Sequence, residues 1–365
     1  MINRDRLLQK FLEYSACASE SYRERDFCLL LERELDELGL TWERQEIGAQ
    51  VGSDGWNLRA LLPGEGEPLL FCAHMDTVSP GAGVRPVVQD GVIRTDGTTV
   101  LGGDDKAGIA ASLEALRAVA EEGGPHRPAE LLFTICEEVG MLGSKHADYS
   151  RLLSREAVVL DGEEVGSIVF QAAAHLELHF VILGRSAHAG ISPEKGIHAL
   201  KAAAECVAGI RCGHVSETGV VNVANLLCPG ATNIVPERAE FDVELRSYEE
   251  TELQELLRQI CAHVERVCAS WGARFEKSET RISRAFRLSP DAPVIRAACA
   301  AMEAQGICPA LERTLGGSDL TWLSEHGIAA VNLGVGMQEV HSCKEFLRVD
   351  DLVSTAGILA RMLRG

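Results

Sequence analysis

Short apolar runs that break abruptly into acid or histidine constrain this chain more than any other feature. LLFCAH (69–74) leads into Met75 and Asp76, ELLFTICEE (130–138) closes on two glutamates, and REAVVLDGEE (155–164) turns from apolar residues to Asp161. Apolar runs of this length predict strands buried on both faces. Helical patterns lie between them, such as GIAASLEALRAVAEEG (108–123), which ends on glycine. Alternating strands and helices imply an α/β sheet with helices on its faces. Such sheets bind ligands in the loops beyond the carboxyl ends of their strands. Residues 1–45 read as helices, with Ser21-Tyr22-Arg23-Glu24 fitting a capping box ahead of Phe27, Leu30, Leu31 and Leu35 at helical spacing.

The pattern changes near residue 173. HLELHFVILG, IHALKAAAECVAGI, VVNVANLLC, ERAEFDVELRS, ETELQELLRQICAHVERVCASWG and ARFEKSETRI read as strand, helix, strand, strand, helix, strand. That order predicts a compact ferredoxin-like unit. Helices and apolar strands resume after SRAFRLSPD. The expected organisation is a discontinuous first domain, 1–172 and 286–365, interrupted by an inserted domain, 173–285. A chain of 365 residues is long enough for two domains.

Composition excludes several functions. The net charge of −19 disfavours nucleic acid, whose phosphates it would repel. No apolar stretch is long enough for a membrane span, and MINRDRLLQKFLEY is too charged for a signal peptide, so a cytoplasmic location is expected. The 12 cysteines contain no C-x-x-C pair, which argues against a thiolate zinc site and for reduced core residues. Cys- or His-rich tracts of a metal-storage protein are absent.

Taken singly, the polar motifs are unremarkable in kind. His74-x-Asp76 points both side chains the same way on an extended chain, so the carboxylate could orient the histidine; a satisfied loop histidine is the alternative. In LGGDDKAG (101–108), Asp104 and Asp105 precede a helix beginning near Ala107, where one aspartate could serve as N-cap and two together invite a cation. Glu137 and Glu138 could face metal and substrate separately, or simply favour a helix N-terminus. Asp161 ends a fourth segment, and HSCKE (341–345) follows the apolar AAVNLGVG. Together they offer oxygen and nitrogen ligands suited to zinc or a similar divalent ion. Three carboxylates and a hydroxide would balance two such ions, the histidines being neutral.

AHMDTV, GGDDKAG, EEVG, the aspartate of VVLDGEE, GRSAHAG and the late H-x-x-x-E together resemble the co-catalytic zinc exopeptidase family, with wording most similar to peptidase T-like members. That family includes the glutamate-releasing carboxypeptidase, the aminoacylases and succinyl-diaminopimelate desuccinylase. The resemblance implies a mixed-sheet α/β catalytic domain, phosphorylase/hydrolase-like, with the inserted ferredoxin-like α+β domain serving as lid and dimerisation domain. It implies two divalent metals, zinc foremost with cobalt or manganese as substitutes. His74 and Asp161 would bind one, Glu138 and His341 the other, and Asp104 both. Asp76 would hold His74, Glu137 would be general base and acid, and Asp105 would shape the turn after a cis peptide. A lid histidine, His188, would donate to the oxyanion, often across a dimer interface. Asn233 and Arg246 would grip substrate, the planar guanidinium suiting a carboxylate; a salt bridge from Arg246 to Glu244 or Asp242 is the alternative. Gly316, Gly317 and Ser318 would offer backbone donors.

The implied activity is tripeptidase-like aminopeptidase hydrolysis of short peptides by a hydroxide held between the metals. A carboxypeptidase or N-acyl amino acid amidohydrolase would use the same chemistry. A non-catalytic peptide-binding scaffold is the reading of another class, and would lack ligands or base.

Overall fold

A computed structural model describes all residues, 1–365. Two compact units emerge. The first comprises Met1–Phe170, Arg287–Arg313 and Ser318–Gly365; the second comprises Gln171–Phe286 and Thr314–Gly317.

The first unit is built on a mixed sheet. Its centre holds four parallel strands in the spatial order Ala129–Thr134, Leu69–His74, Glu156–Gly162, Ala329–Gly334. Antiparallel strands extend it on either side, through Asn57–Leu62 and Thr41–Gln45 at one edge and Ser167–Ala172 at the other. Every residue of Leu69–His74 and Ala129–Thr134 is buried, as continuous apolar runs require. The helix Gly103–Glu122 packs against Leu69–His74 and against the helices Arg4–Ala16 and Val349–Arg364. Regular helical geometry begins only after Asp104 and Asp105, whose backbone angles are extended and kinked. No helix is long and apolar enough to cross a membrane.

The N-terminal stretch departs from the expectation of helix throughout. Helices span Arg4–Ala16 and Arg25–Glu37, but Thr41–Gln45 is a strand paired antiparallel to Asn57–Leu62. Pairing at the sheet edge, with Gln45 buried, outweighs local helical preference. Nor does the capping box form. Glu24 is the N-cap residue and makes no side-chain cap bond. The Ser21 hydroxyl instead donates to Asp76 Oδ2 at 2.8 Å.

The second unit has its own apolar core, including Phe180, Phe241, Leu245 and Val264. Its strands Gly219–Leu227, Arg238–Ser247, Ala174–Leu183 and Arg274–Ser283 pair antiparallel in that spatial order. Helices Ala199–Gly209 and Glu250–Trp271 pack on this sheet. The topology is ferredoxin-like.

Gly108 marks how tightly the first unit is assembled around its central strands. A Cβ there would stand 2.6 Å from Leu160 Cβ and 2.7 Å from the Leu160 carbonyl oxygen. Replacing a helical glycine by alanine ordinarily stabilises by up to about 1 kcal/mol. Gly108→Ala is expected to do the opposite and cost about 1–3 kcal/mol through overpacking; a raised midpoint in thermal denaturation would contradict this.

Candidate metal centre

Parallel strands deliver their carboxyl ends to one edge of the sheet, and polar residues of all five motifs collect there. His74 is the last residue of its strand. Its Nε2 lies 2.8 Å from Asp104 Oδ1 and 3.9 Å from Asp161 Oδ1. Asp104 Oδ2 lies 3.2 Å from His341 Nε2, which is 3.0 Å from Glu138 Oε2. Asp104 therefore stands between two histidines, one oxygen toward each. Donor atoms of His74, Asp104 and Glu138 all lie within 4.8 Å of one another.

A further set of buried groups holds the backbone that carries these side chains. Glu345 accepts from the amides of Leu101, Gly102 and Asp104 at 2.7, 2.9 and 3.1 Å. The turn they form contains Gly102 at φ 72° and a cis peptide between Asp104 and Asp105. Asp105 accepts from the amides of His74 and Gly108, both at 3.2 Å, so its carboxylate serves the turn. Asn332 bonds Asp161 in both directions: its Oδ1 accepts from the Asp161 amide and its Nδ2 donates to the Asp161 carbonyl, each at 2.9 Å.

Asp76 does more than the H-x-D spacing suggests. His74 Nδ1 lies 2.9 Å from the Asp76 main-chain oxygen and 3.5 Å from its carboxylate. That carboxylate accepts from the amides of Glu137 and Glu138 at 2.8 and 3.2 Å.

Electrostatics mark the cluster as incomplete without positive charge. Burial alone would lower the His74 pKa, yet its bonds to Asp104 and Asp76 hold it well above the usual imidazole value. Asp104 and Glu138 push His341 up to about 10. Burial, then the neighbouring Asp104, raises Asp161, and burial raises Glu137. Against burial, His341 and His74 keep Asp104 below the ordinary carboxylate range. Crowded carboxylates must hold protons or bind cations. Glu138 Oε1 is buried with no hydrogen-bond partner, a costly arrangement for an acceptor unless a cation meets it. Carboxylate oxygens and imidazole nitrogens without thiolates are a donor set that fits zinc, cobalt or manganese.

The remaining candidate residues fall mostly in the second unit. His188 is exposed, bridged antiparallel to Ile234, and its Nδ1 accepts from the Gly190 amide at 3.2 Å. The carbonyl of Asn233 accepts from the Ala189 amide at 2.9 Å. Arg246 forms the alternative ion pair: its Nε donates to Glu244 at 2.5 Å and its Nη1 to the Leu315 carbonyl at 2.6 Å. Asp242 is occupied by His179 and Asn225, each at 2.7 Å. The Gly316 amide already donates to Thr314 Oγ1 at 2.9 Å, which removes one of the three expected backbone donors. Gly317 is exposed, at the end of the second unit, and Ser318 is buried at the start of the next segment of the first.

Four functional neighbours escaped the sequence reading in whole or part. Asn332 is the lone polar residue of a buried strand, a signal that was available. Asp319 accepts from Thr134 and Ser144 hydroxyls at 2.5 Å each beneath the cluster. Glu345 stands in the late H-x-x-x-E motif, whose spacing does not announce an amide acceptor, and the spacing of Glu24 points to a cap that does not form.

A sheet whose strand ends gather carboxylates around two histidines defines a metal-dependent hydrolase scaffold. The family model described as peptidase family M20/M25/M40 matches residues 70–365. The chain is 33% identical to the YqjE protein of Bacillus subtilis (strain 168) over 366 residues, covering 100% of this chain and 99% of that one. Among solved structures it is similar to aminopeptidase PepT from Bacillus cereus ATCC 10987, with TM-score 0.93 and 32% identity over 99% of this chain and 98% of that one. A tripeptidase from Staphylococcus aureus subsp. aureus Mu50 superposes with TM-score 0.96 and 29% identity over 100% and 98%. The chain belongs to peptidase family M20/M25/M40 and is a metallopeptidase.

The turn carrying Asp104 depends on Glu345. Glu345→Ala would leave three buried amides without their acceptor. A loss of at least about 1–3 kcal/mol is expected, with faster amide exchange at residues 101, 102 and 104 by hydrogen-exchange mass spectrometry.

Proposed function

We propose that this chain is a peptidase T-like aminopeptidase that cleaves short peptides, tripeptides foremost, with two divalent ions of which zinc is the natural choice. The observation that carries the reading is Asp104 placed between His74 and His341, with Asp161 and Glu138 beside them. His74 and Asp161 would hold one ion, His341 and Glu138 the other, and Asp104 both. Bound there, the ions would supply Lewis acidity, polarising the scissile carbonyl and making a water acidic near neutral pH.

The chain's own residues do the rest. Glu137 takes a proton from the attacking water and returns it to the departing amine; burial, by raising its pKa, suits it to that exchange. Asp76 fixes Glu137 by its amide while its main chain orients the His74 ring. His188 donates to the oxyanion, Asn233 grips the substrate, and Gly317 and Ser318 offer backbone donors to the substrate terminus. Arg246 receives the substrate carboxylate; Glu244 and the Leu315 carbonyl hold its planar fork in place for this. The second unit acts as lid and as the interface of a homodimer, in the cytoplasm. Support for the substrate class comes from similarity to an aminopeptidase and a tripeptidase across nearly whole chains.

Glu137→Gln is expected to lower kcat by about 10²–10⁴-fold while metal analysis still finds two equivalents per chain. Ala-Ala-Ala should be cleaved and N-acetyl-Ala-Ala-Ala should not. Turnover of blocked substrates alone would replace the aminopeptidase reading with an amidohydrolase one, and absence of bound metal would leave a binding scaffold.

A further inference from the structure

The two glutamates that follow strand Ala129–Thr134 sit on an unusual piece of backbone. Cys136 has φ 54°, in the left-handed region that residues with a Cβ seldom adopt. Downstream bonds continue the turn: Leu142 N donates to the Cys136 carbonyl at 3.0 Å, and Gly140 N and Met141 N donate to that of Glu137 at 2.9 and 2.7 Å. Those bonds close the far side only. On the near side, three successive amides point at buried carboxylates. The Glu137 and Glu138 amides meet Asp76, and the Cys136 amide meets Glu24 Oε1 at 3.1 Å.

Glu24 is fully buried and comes from the start of the second helix, 112 residues away in sequence. Its other partners are the Cys136 thiol at 3.1 Å, the Tyr22 amide at 2.9 Å and the Ser53 hydroxyl. All are neutral donors. Glutamate is not a favoured N-cap residue, and here its side chain does no capping. Fully burying a carboxylate is costly unless its hydrogen bonds are met, and two of the four bonds Glu24 accepts come from one residue, Cys136. Both Glu24 and Ser53 precede the stretch matched by the family model.

We propose that Glu24 is a positioning residue for the candidate base: by holding the Cys136 amide and thiol it sets the left-handed turn that aims Glu137 and Glu138. None of the hydrogen bonds of Glu24 goes to a candidate metal ligand, and its direct link to the segment that carries Glu137 is Cys136. Asp76 holds the next two amides but also adjoins His74, so its replacement would disturb two elements at once. The consequence for rate rests on Glu137 being the proton shuttle proposed above; the consequence for the turn does not.

Glu24→Asp, which keeps the charge but withdraws the oxygens by one methylene, is compared with Glu24→Ala and Glu24→Gln in the metal-loaded full chain, with Glu137→Gln alongside. A misplaced reacting group costs up to about 100-fold, so Glu24→Asp and Glu24→Ala should lose about 10–100-fold in kcat on Ala-Ala-Ala, with little change in KM. Bound metal should stay at the wild-type level, and amides 136–138 should exchange faster with deuterium. Glu24→Gln should recover most of the rate, because its carbonyl oxygen can accept from Cys136 and Tyr22 while its amide group donates to Ser53. A folded Glu24→Asp protein with wild-type kcat and unchanged exchange would overturn the proposal, as would a rate loss matched by metal loss. If Glu137→Gln itself keeps turnover, the shuttle reading fails; the exchange measurement then still decides whether Glu24 holds the turn.

Discussion

One carboxylate, Asp104, offers an oxygen to each of two histidines drawn from opposite ends of the chain, and the surrounding architecture serves to keep it there. Residues 74 and 341 approach it at 2.8 and 3.2 Å. Carboxylates from two other strand ends crowd the same space, so the arrangement is electrostatically unstable unless protons or cations offset it. Parallel strands suit such a task because they bring several carboxyl ends to one edge. Their buried, apolar bodies keep the edge from shifting.

The acids of the first unit divide by what they bind. Asp104, Asp161 and Glu138 face imidazole and one another. Asp76, Asp105, Glu345 and Glu24 accept backbone amides, and Asp319 accepts hydroxyls. The amide-binding group determines where the facing group can be. A carboxylate is a good clamp for irregular backbone, since its bonds to N–H groups are charge-assisted and directional. Loops without the ladder of a sheet need such acceptors, because every buried amide must find one. Much of the acidity of this chain near the centre is therefore structural in kind.

Much of this was legible in the primary structure. Buried strands that run to His74, to Thr134 just before Glu137, and through Asp161 announce themselves by apolar runs that stop at polar or charged residues, and the strand–helix–strand–strand–helix–strand order of the second unit follows from local periodicity. Other features were not legible. Thr41–Gln45 becomes a strand because Asn57–Leu62 offers it an edge. Ser21 and Glu24 have the spacing of a cap, yet Ser21 donates to the distant, buried Asp76 and Glu24 accepts from the distant Cys136 amide. Arg246 has carboxylates two and four residues before it on its own strand; Glu244 receives its Nε, and the sheet register sets Asp242 opposite His179, to which it bonds.

The sequence by itself determined which residue types end each strand and in what order the two kinds of unit occur, because periodicity and burial are properties of neighbours along the chain. Tertiary structure alone decided which oxygen meets which donor. The Asp76 contacts to Glu137 and Glu138 span 61 and 62 residues, and the Glu345 contact to Leu101 spans 244. Hydrogen bonds of that kind depend on distances of a few tenths of an ångström between segments that no local pattern relates.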